Sequence, residues 1–329
     1  MSRSTSFRSI LVPLDGSQFA EQALPLAAEV AKRGGGKLLL ALVHQLPPNP
    51  VDTATVNMFN HAEFATRKAE LTYLERYADQ IRKAGIEVGS AVTLEGPTVS
   101  SLVEYVHDAC IDLVVMATHG RGGIERAWLG SVADQLIRNL HVPVLLVRPP
   151  EHGTSTAKGQ GQILVPVDES ALAEESLDPA VKMAGLWDSE ISLIQVVPPV
   201  ALAQDAMLPV SSAYDEELTG LRRDEAQAYV ERVAAKIRER GLRASGVAIV
   251  GVRVADSILS VAHPEQVSLI VLATHGRGGL QRLALGSVAD KLVRGADVPV
   301  LVYRPTGARP KTPTTRRRVS EMVEGKVVV

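Results

Sequence analysis

Residues 117–149 read ATHGRGGIERAWLGSVADQLIRNLHVPVLLVRP, and residues 273–305 read ATHGRGGLQRLALGSVADKLVRGADVPVLVYRP. The two stretches align without a gap, and 22 of the 33 positions are identical. A repeat this close means that one structural unit is used twice. In each copy an apolar run (113–117 or 269–273) enters a glycine-rich loop. A one-sided helical pattern then starts at Ser131 or Ser287, and a second apolar run follows at 142–147 or 298–303. Short apolar runs without alternation read as strands buried on both faces, and a strand, helix, strand sequence reads as a parallel crossover. The identities concentrate in the Gly, Ser, Thr, His and Arg of the loop, while apolar positions exchange Ile for Leu or Val. A core tolerates such exchanges. A backbone that must approach a ligand does not, so the loop is where function is expected.

The same order extends upstream. Apolar runs at 10–14 and 163–167 end at Asp15-Gly16-Ser17 and Asp168-Glu169-Ser170. Helical stretches at 18–32 and 171–186 lead to strands at 37–43 and 191–197. Long charged helices (62–84, 213–240), strands (87–94, 242–250) and helices (98–110, 254–262) complete each unit. Five strands alternating with helices predict two Rossmann-like, doubly wound five-stranded parallel sheet domains in tandem, an α/β fold with helices on both faces. The boundaries read as 1–149 and 163–306. Residues 150–162 have the Pro/Gly/Ser/Thr/Gln composition of a linker, and 307–329 form a flexible basic tail. The last strands, 142–147 and 298–303, are apolar edges that need covering. Pairing them about a pseudo-two-fold axis predicts an intramolecular pseudo-dimer.

A net charge of −2 excludes a global pull toward nucleic acid or an anionic membrane. No apolar run is long enough to span a bilayer, and the N-terminus runs straight into a strand pattern without a signal segment. The single Cys110 rules out an internal disulfide framework and fits a reducing compartment, so the expected location is cytoplasmic. Beside Ala109 and Ile111, Cys110 is expected to be a buried, inert thiol.

Ligands of an open parallel sheet sit beyond the C-terminal strand ends, where strand order reverses. Asp15 (Asp168), Val43 (Val196) and the THGRGG loop all arrive there. The loop glycines leave room for backbone amides to face an anion. Ser131 and Ser287 start helices, where unpaired amides and the dipole favour phosphate. Two readings stay open for these serines, because Ser131-Val-Ala-Asp134 and Ser287-Val-Ala-Asp290 also fit capping boxes. Likewise Asp15 and Asp168 are either turn formers or hydrogen-bond partners of a nucleoside. His119 and His275 read as loop structure or a phosphate contact rather than a general base, since no repeated carboxylate adjoins them. Trp128 is Ala284 in the second copy and belongs to no shared site. The P-loop, dinucleotide, nucleophile-elbow and zinc-pair motifs are all absent.

These residues resemble the universal stress protein family in its tandem form, over about 7–149 and 160–306. ATP-binding members carry G-x-x-G, nine residues, then G-[ST], after the fourth strand. Here Ala117-Thr-His-Gly120 and Ala273-Thr-His-Gly276 each precede Gly130-Ser131 and Gly286-Ser287 by that spacing, with Ala in place of the first Gly. The resemblance implies an adenine nucleotide alpha hydrolase-like fold and ATP, with magnesium accompanying the phosphates. In the first site it implies contacts from Pro13, Asp15, Val43, Met116, Ala117, Gly120, Arg121, Gly123, Gly130, Ser131 and Val132. In the second it implies Pro166, Asp168, Val196, Leu272, Ala273, Gly276, Arg277, Gly279, Gly286, Ser287 and Val288. It further implies a regulatory role in stress adaptation and association through the last strand, including further homodimers. No catalytic residue follows from it; weak ATP hydrolysis and a nucleotide-free interaction module are the alternatives.

Overall fold

A computed structural model describes residues 6–45, 53–118, 129–148, 161–201, 214–263, 265–274 and 285–305. The first repeat runs β1 (Ser9–Leu14), α1 (Gln18–Glu21), α2 (Ala23–Gly34), β2 (Lys37–His44), α3 (Thr53–Lys83), β3 (Val88–Glu95), α4 (Thr98–Asp108), β4 (Leu113–Ala117), α5 (Ser131–Asn139) and β5 (Val144–Val147). The second begins with β6 (Gln162–Pro166), α6 (Ala171–Glu174), α7 (Leu177–Trp187) and β7 (Ile191–Val197). A small ribbon of β8 (Val200–Ala201) and β9 (Tyr214–Asp215) follows. Then come α8 (Glu216–Arg238), β10 (Ala244–Val250), α9 (Val254–Val261), β11 (Val267–Ala273), α10 (Ser287–Gly295) and β12 (Val300–Tyr303).

Strands in the first repeat are ordered β3-β2-β1-β4-β5, and in the second β10-β7-β6-β11-β12, all parallel within each repeat. The order reverses between β1 and β4, and between β6 and β11. Side chains alternate between two buried faces. Val12, Leu40 and Val115 point to one layer, and Leu11, Leu39 and Val114 to the other. Burial on both faces is why these strands read as unbroken apolar runs.

The predicted pseudo-dimer forms through the last strands. β5 and β12 pair antiparallel, with Val300 opposite Leu146 and Val302 opposite Val144, and fuse the halves into one ten-stranded sheet. Phe7 is fully buried beneath Lys182 of the other repeat, whose ammonium lies 5.2 Å from the ring centroid. On the opposite face, Arg148 donates to the carbonyl of Arg294 and Arg304 donates to that of Arg138. Each repeat thus supplies an arginine that caps the last turn of the other's α10 or α5.

Several boundaries differ from the sequence reading. The helices expected at 18–32 and 171–186 are each broken after one turn. Gln22 N–H bonds back to Phe19 and Ser176 N–H to Ala173, three residues away, which tightens and ends α1 and α6. Helix α3 starts at Thr53 rather than 62. Helix α8 starts at Glu216 because Tyr214–Asp215 pair with β8, and the Asp215 side chain caps the helix by accepting from Leu218 N–H. Cys110 is exposed, not buried. It takes the left-handed conformation (φ 51°) just past α4, which turns its side chain out of the core. The linker at 149–160 and the tail at 306–329 lie outside the described residues. No described helix is long and apolar enough to cross a membrane.

Candidate functional site

Each switch point is built first by an aspartate turn. Asp15 Oδ1 accepts from Ser17 N–H at 2.9 Å and from the Ser17 hydroxyl at 2.6 Å, and Ser17 Oγ accepts from Ala20 N–H at 3.2 Å. Asp168 and Ser170 repeat the arrangement at 3.1 and 2.6 Å, with Ala173 N–H at 3.1 Å. The aspartates are therefore turn formers, which also fixes half-buried carboxylates at the strand ends. The middle residue of each turn is left-handed: Gly16 at φ 81° and Glu169 at φ 67°. Glu169 is steadied by buried Gln195, whose Nε2 donates to its carboxylate at 2.8 Å.

The fourth strand supplies the second wall. Thr118, 4% exposed, donates its N–H to Val147 and accepts from Gly130 N–H at 2.8 Å. Thr274 does the same with Tyr303 and with Gly286, the latter at 2.9 Å. These bonds pin the two ends of each glycine loop together and aim the chain into α5 or α10. The loops themselves are not described, so Gly120, Arg121, Gly123, Gly276, Arg277 and Gly279, with His119 and His275, lie outside the described residues.

The helix starts bear on the capping reading of the serines. Gly130 and Gly286 occupy the N-cap positions, at φ −57° and −59°, and Ser131 and Ser287 are already the first helical residues, both exposed. Capping boxes do not form. Asp134 is engaged by Arg138 at 2.8 and 2.9 Å, and Asp290 by Arg294 at 2.8 Å. The serines do not cap because the loop closes through the glycine amide, which moves the helix boundary one residue back. The first intrahelical bond is Asp134 N–H to Gly130 at 2.9 Å. The amides of Ser131, Val132 and Ala133 therefore precede any intrahelical acceptor, as do those of Ser287, Val288 and Ala289. Gly130 and Gly286, in contrast, spend their own N–H on the loop closure.

Strand register brings the other residues to the same edge. Pro13 and Leu14 lie beside Ala41 and Leu42, so Asp15 follows at the level of Val43. Val43, Met116 and Ala117 are buried, as is Leu272, while Pro13, Pro166, Val196 and Ala273 are half-buried. Asp15, Val43, Met116–Ala117 and Gly130–Val132 thus share one C-terminal sheet edge. Asp168, Val196, Leu272–Ala273 and Gly286–Val288 share the other.

One pair was not anticipated. His44, 2% exposed, sits next to Val43 with Nδ1 2.8 Å from Glu70 Oε2, and its Nε2 is buried without a hydrogen-bond partner. The second repeat fills this position with the apolar trio Val197, Ala226 and Ala248. The signal available in the sequence was a His facing a Val across the repeat alignment. Tyr73 and Tyr229 lie beneath the aspartate turns. Their hydroxyl pKa values are pushed up by burial, then by Glu21 and Glu174 respectively, and Tyr229 donates to Glu174 at 2.9 Å. Among the described residues no three His, Cys, Asp or Glu side chains cluster to hold a metal.

Comparison with known proteins agrees with this architecture. The Universal stress protein family model matches residues 6–148 and 161–304. A universal stress protein of Mycobacterium bovis is 26% identical over 327 residues, covering 92% of this chain and 97% of its own. One from Methanocaldococcus jannaschii is 31% identical over 145 residues, 44% of this chain and 84% of its own. The crystal structure of a universal stress protein from Archaeoglobus fulgidus superposes with a TM-score of 0.63 at 19% identity, over 92% of this chain and 99% of that one. The chain belongs to the universal stress protein family, in a form with two copies of the domain in tandem.

Proposed function

We propose that each repeat binds one adenine nucleotide, ATP in the first instance, and that occupancy regulates the protein in stress adaptation. The observation that carries this reading is the helix start at each switch point. Three amides without an intrahelical acceptor and an exposed serine hydroxyl stand at the positive end of α5, and again of α10. The glycine N-cap leaves the approach free of a side chain. Phosphates would lie on Ser131 and Val132, or Ser287 and Val288, and Gly120, Arg121 and Gly123, or Gly276, Arg277 and Gly279, would contribute further contacts. The nucleoside would rest against Pro13, Asp15, Val43, Met116 and Ala117, or Pro166, Asp168, Val196, Leu272 and Ala273. Magnesium would come with the phosphates. A reducing, cytoplasmic setting fits the lone exposed thiol.

Calorimetric titration with ATP, ADP, AMP and cAMP tests the reading. cAMP is included because one universal stress protein structure holds it. The wild type should bind two equivalents of ATP. Gly130→Val should abolish one site and Gly286→Val the other, because each is built from one repeat. Ser131→Ala should weaken the first site by about 0.5–1.5 kcal/mol, the worth of one hydroxyl contact. ATP binding to the double glycine variant with wild-type affinity would misplace the sites, and no binding to the wild type would remove the proposal.

A further inference from the structure

The two outer edges of the ten-stranded sheet are treated differently. At the β10 edge, Gln227 reaches down from α8, donates to the carbonyl of Gly246 at 2.9 Å and accepts from Ala248 N–H at 2.8 Å. One side chain thereby occupies the outward-facing groups at the middle of that edge, a device that blocks strand addition. The matching position at the β3 edge, by strand register and helix spacing, is Leu71, over Ala91 and Thr93. Leucine can neither donate nor accept. It is instead 44% exposed, Phe64 two turns earlier is 71% exposed, and both line a groove of about 800 Å³ along α3 together with Lys68 and Glu75. β3 itself, VGSAVTLE, carries neither Lys nor Pro to discourage pairing.

We infer that two copies of this chain associate through β3 and the flank of α3, about a two-fold axis near Ala91. Three observations converge on that axis. Ala91, which by register matches Gly246 and so turns its backbone groups outward, comes opposite Ala91 of the second copy in antiparallel register, which is the hydrogen-bonded pairing. The two α3 helices then run antiparallel on one face of the joined sheet, with Leu71 meeting Leu71 of the second copy. The same axis sets Lys68 against Glu75 of the second copy, so the charges are self-complementary as an isologous contact requires. The molecule already contains this design at β5 and β12, where antiparallel edge strands join and helices α2 and α7 pack across the seam.

Sedimentation velocity on the full chain over about 1–100 µM, where mass action exposes a weak dimer, tests the inference. The wild type should shift toward twice the monomer mass. Leu71→Gln copies the cap that the second repeat already tolerates and should weaken association by about tenfold or more without changing the circular dichroism spectrum. Lys68→Glu should also weaken it, and Lys68→Glu with Glu75→Lys should restore it. A wild type that stays monomeric throughout overturns the inference. So does a dimer that neither Leu71→Gln nor Lys68→Glu affects.

Discussion

His44 and Glu70 form a buried polar pair at a position where the other repeat uses packed hydrocarbon. Removing one partner strands the other, so Glu70→Ala should destabilise the first repeat by about 1–3 kcal/mol. Replacing both, as His44→Val with Glu70→Ala, copies Val197 and Ala226. Because apolar replacement of a buried polar pair is often neutral or stabilising, the double variant should return to within about 1 kcal/mol of the wild type or exceed it. Urea unfolding midpoints of the three proteins check this. Asp15 and Asp168 were legible from sequence because an Asp-x-Ser turn is local chemistry. The N-cap was not. Whether Gly130 or Ser131 caps α5 depends on the bond from Gly130 to Thr118 across the whole loop, which no short-range pattern encodes. Cys110 was misread for a similar reason: its neighbours are apolar, but the left-handed backbone at the helix end turns it outward.

Strands were the most legible elements, since their unbroken apolar runs follow directly from burial on both faces. The breaks after α1 and α6 were hidden because Gln22 and Ser176 interrupt no periodicity; single backbone bonds end those turns. The ribbon β8–β9 was missed because two-residue strands leave no pattern. The start of β2 illustrates a constraint set by close approach alone. A Cβ placed on Gly36 would lie 2.4 Å from the carbonyl oxygen of Phe7. That neighbour is backbone and cannot rotate away, so Gly36→Ala should destabilise by about 1–3 kcal/mol. A matched Gly185→Ala, at a site with open space around it, should leave the thermal midpoint unchanged or raise it.

At the seam, the pseudo-symmetry is broken in one pair of residues. Arg148 faces Asp297 at 3.8 Å, whereas Arg304 faces His141. Burial, and then Arg304, hold the His141 pKa below its ordinary value of 6.5. Between those two values the unfolded chain binds a proton that the folded chain does not. Stability from this group is therefore full above about pH 6.5 and is lost as pH falls through the folded value. His141→Asn should show a smaller drop in thermal midpoint than the wild type between about pH 7.5 and 5.5. The caps that Arg304 and Arg148 place on α5 and α10 also cross the seam. Arg304→Ala should loosen the last turn of α5 and weaken nucleotide binding in the first repeat by about two- to fivefold, leaving the second unchanged. Titration of Arg304→Ala in the Gly286→Val and Gly130→Val backgrounds separates the two.

Because β5 and β12 run antiparallel, every strand of one repeat points against every strand of the other. The two C-terminal edges, and the aspartate turns and helix starts they carry, consequently open toward opposite sides of the molecule. A rigid body docked over one opening leaves the other in bulk solvent. No single small ligand can bridge them, and a macromolecule that reads both must wrap around the sheet or arrive as two bodies from opposite directions.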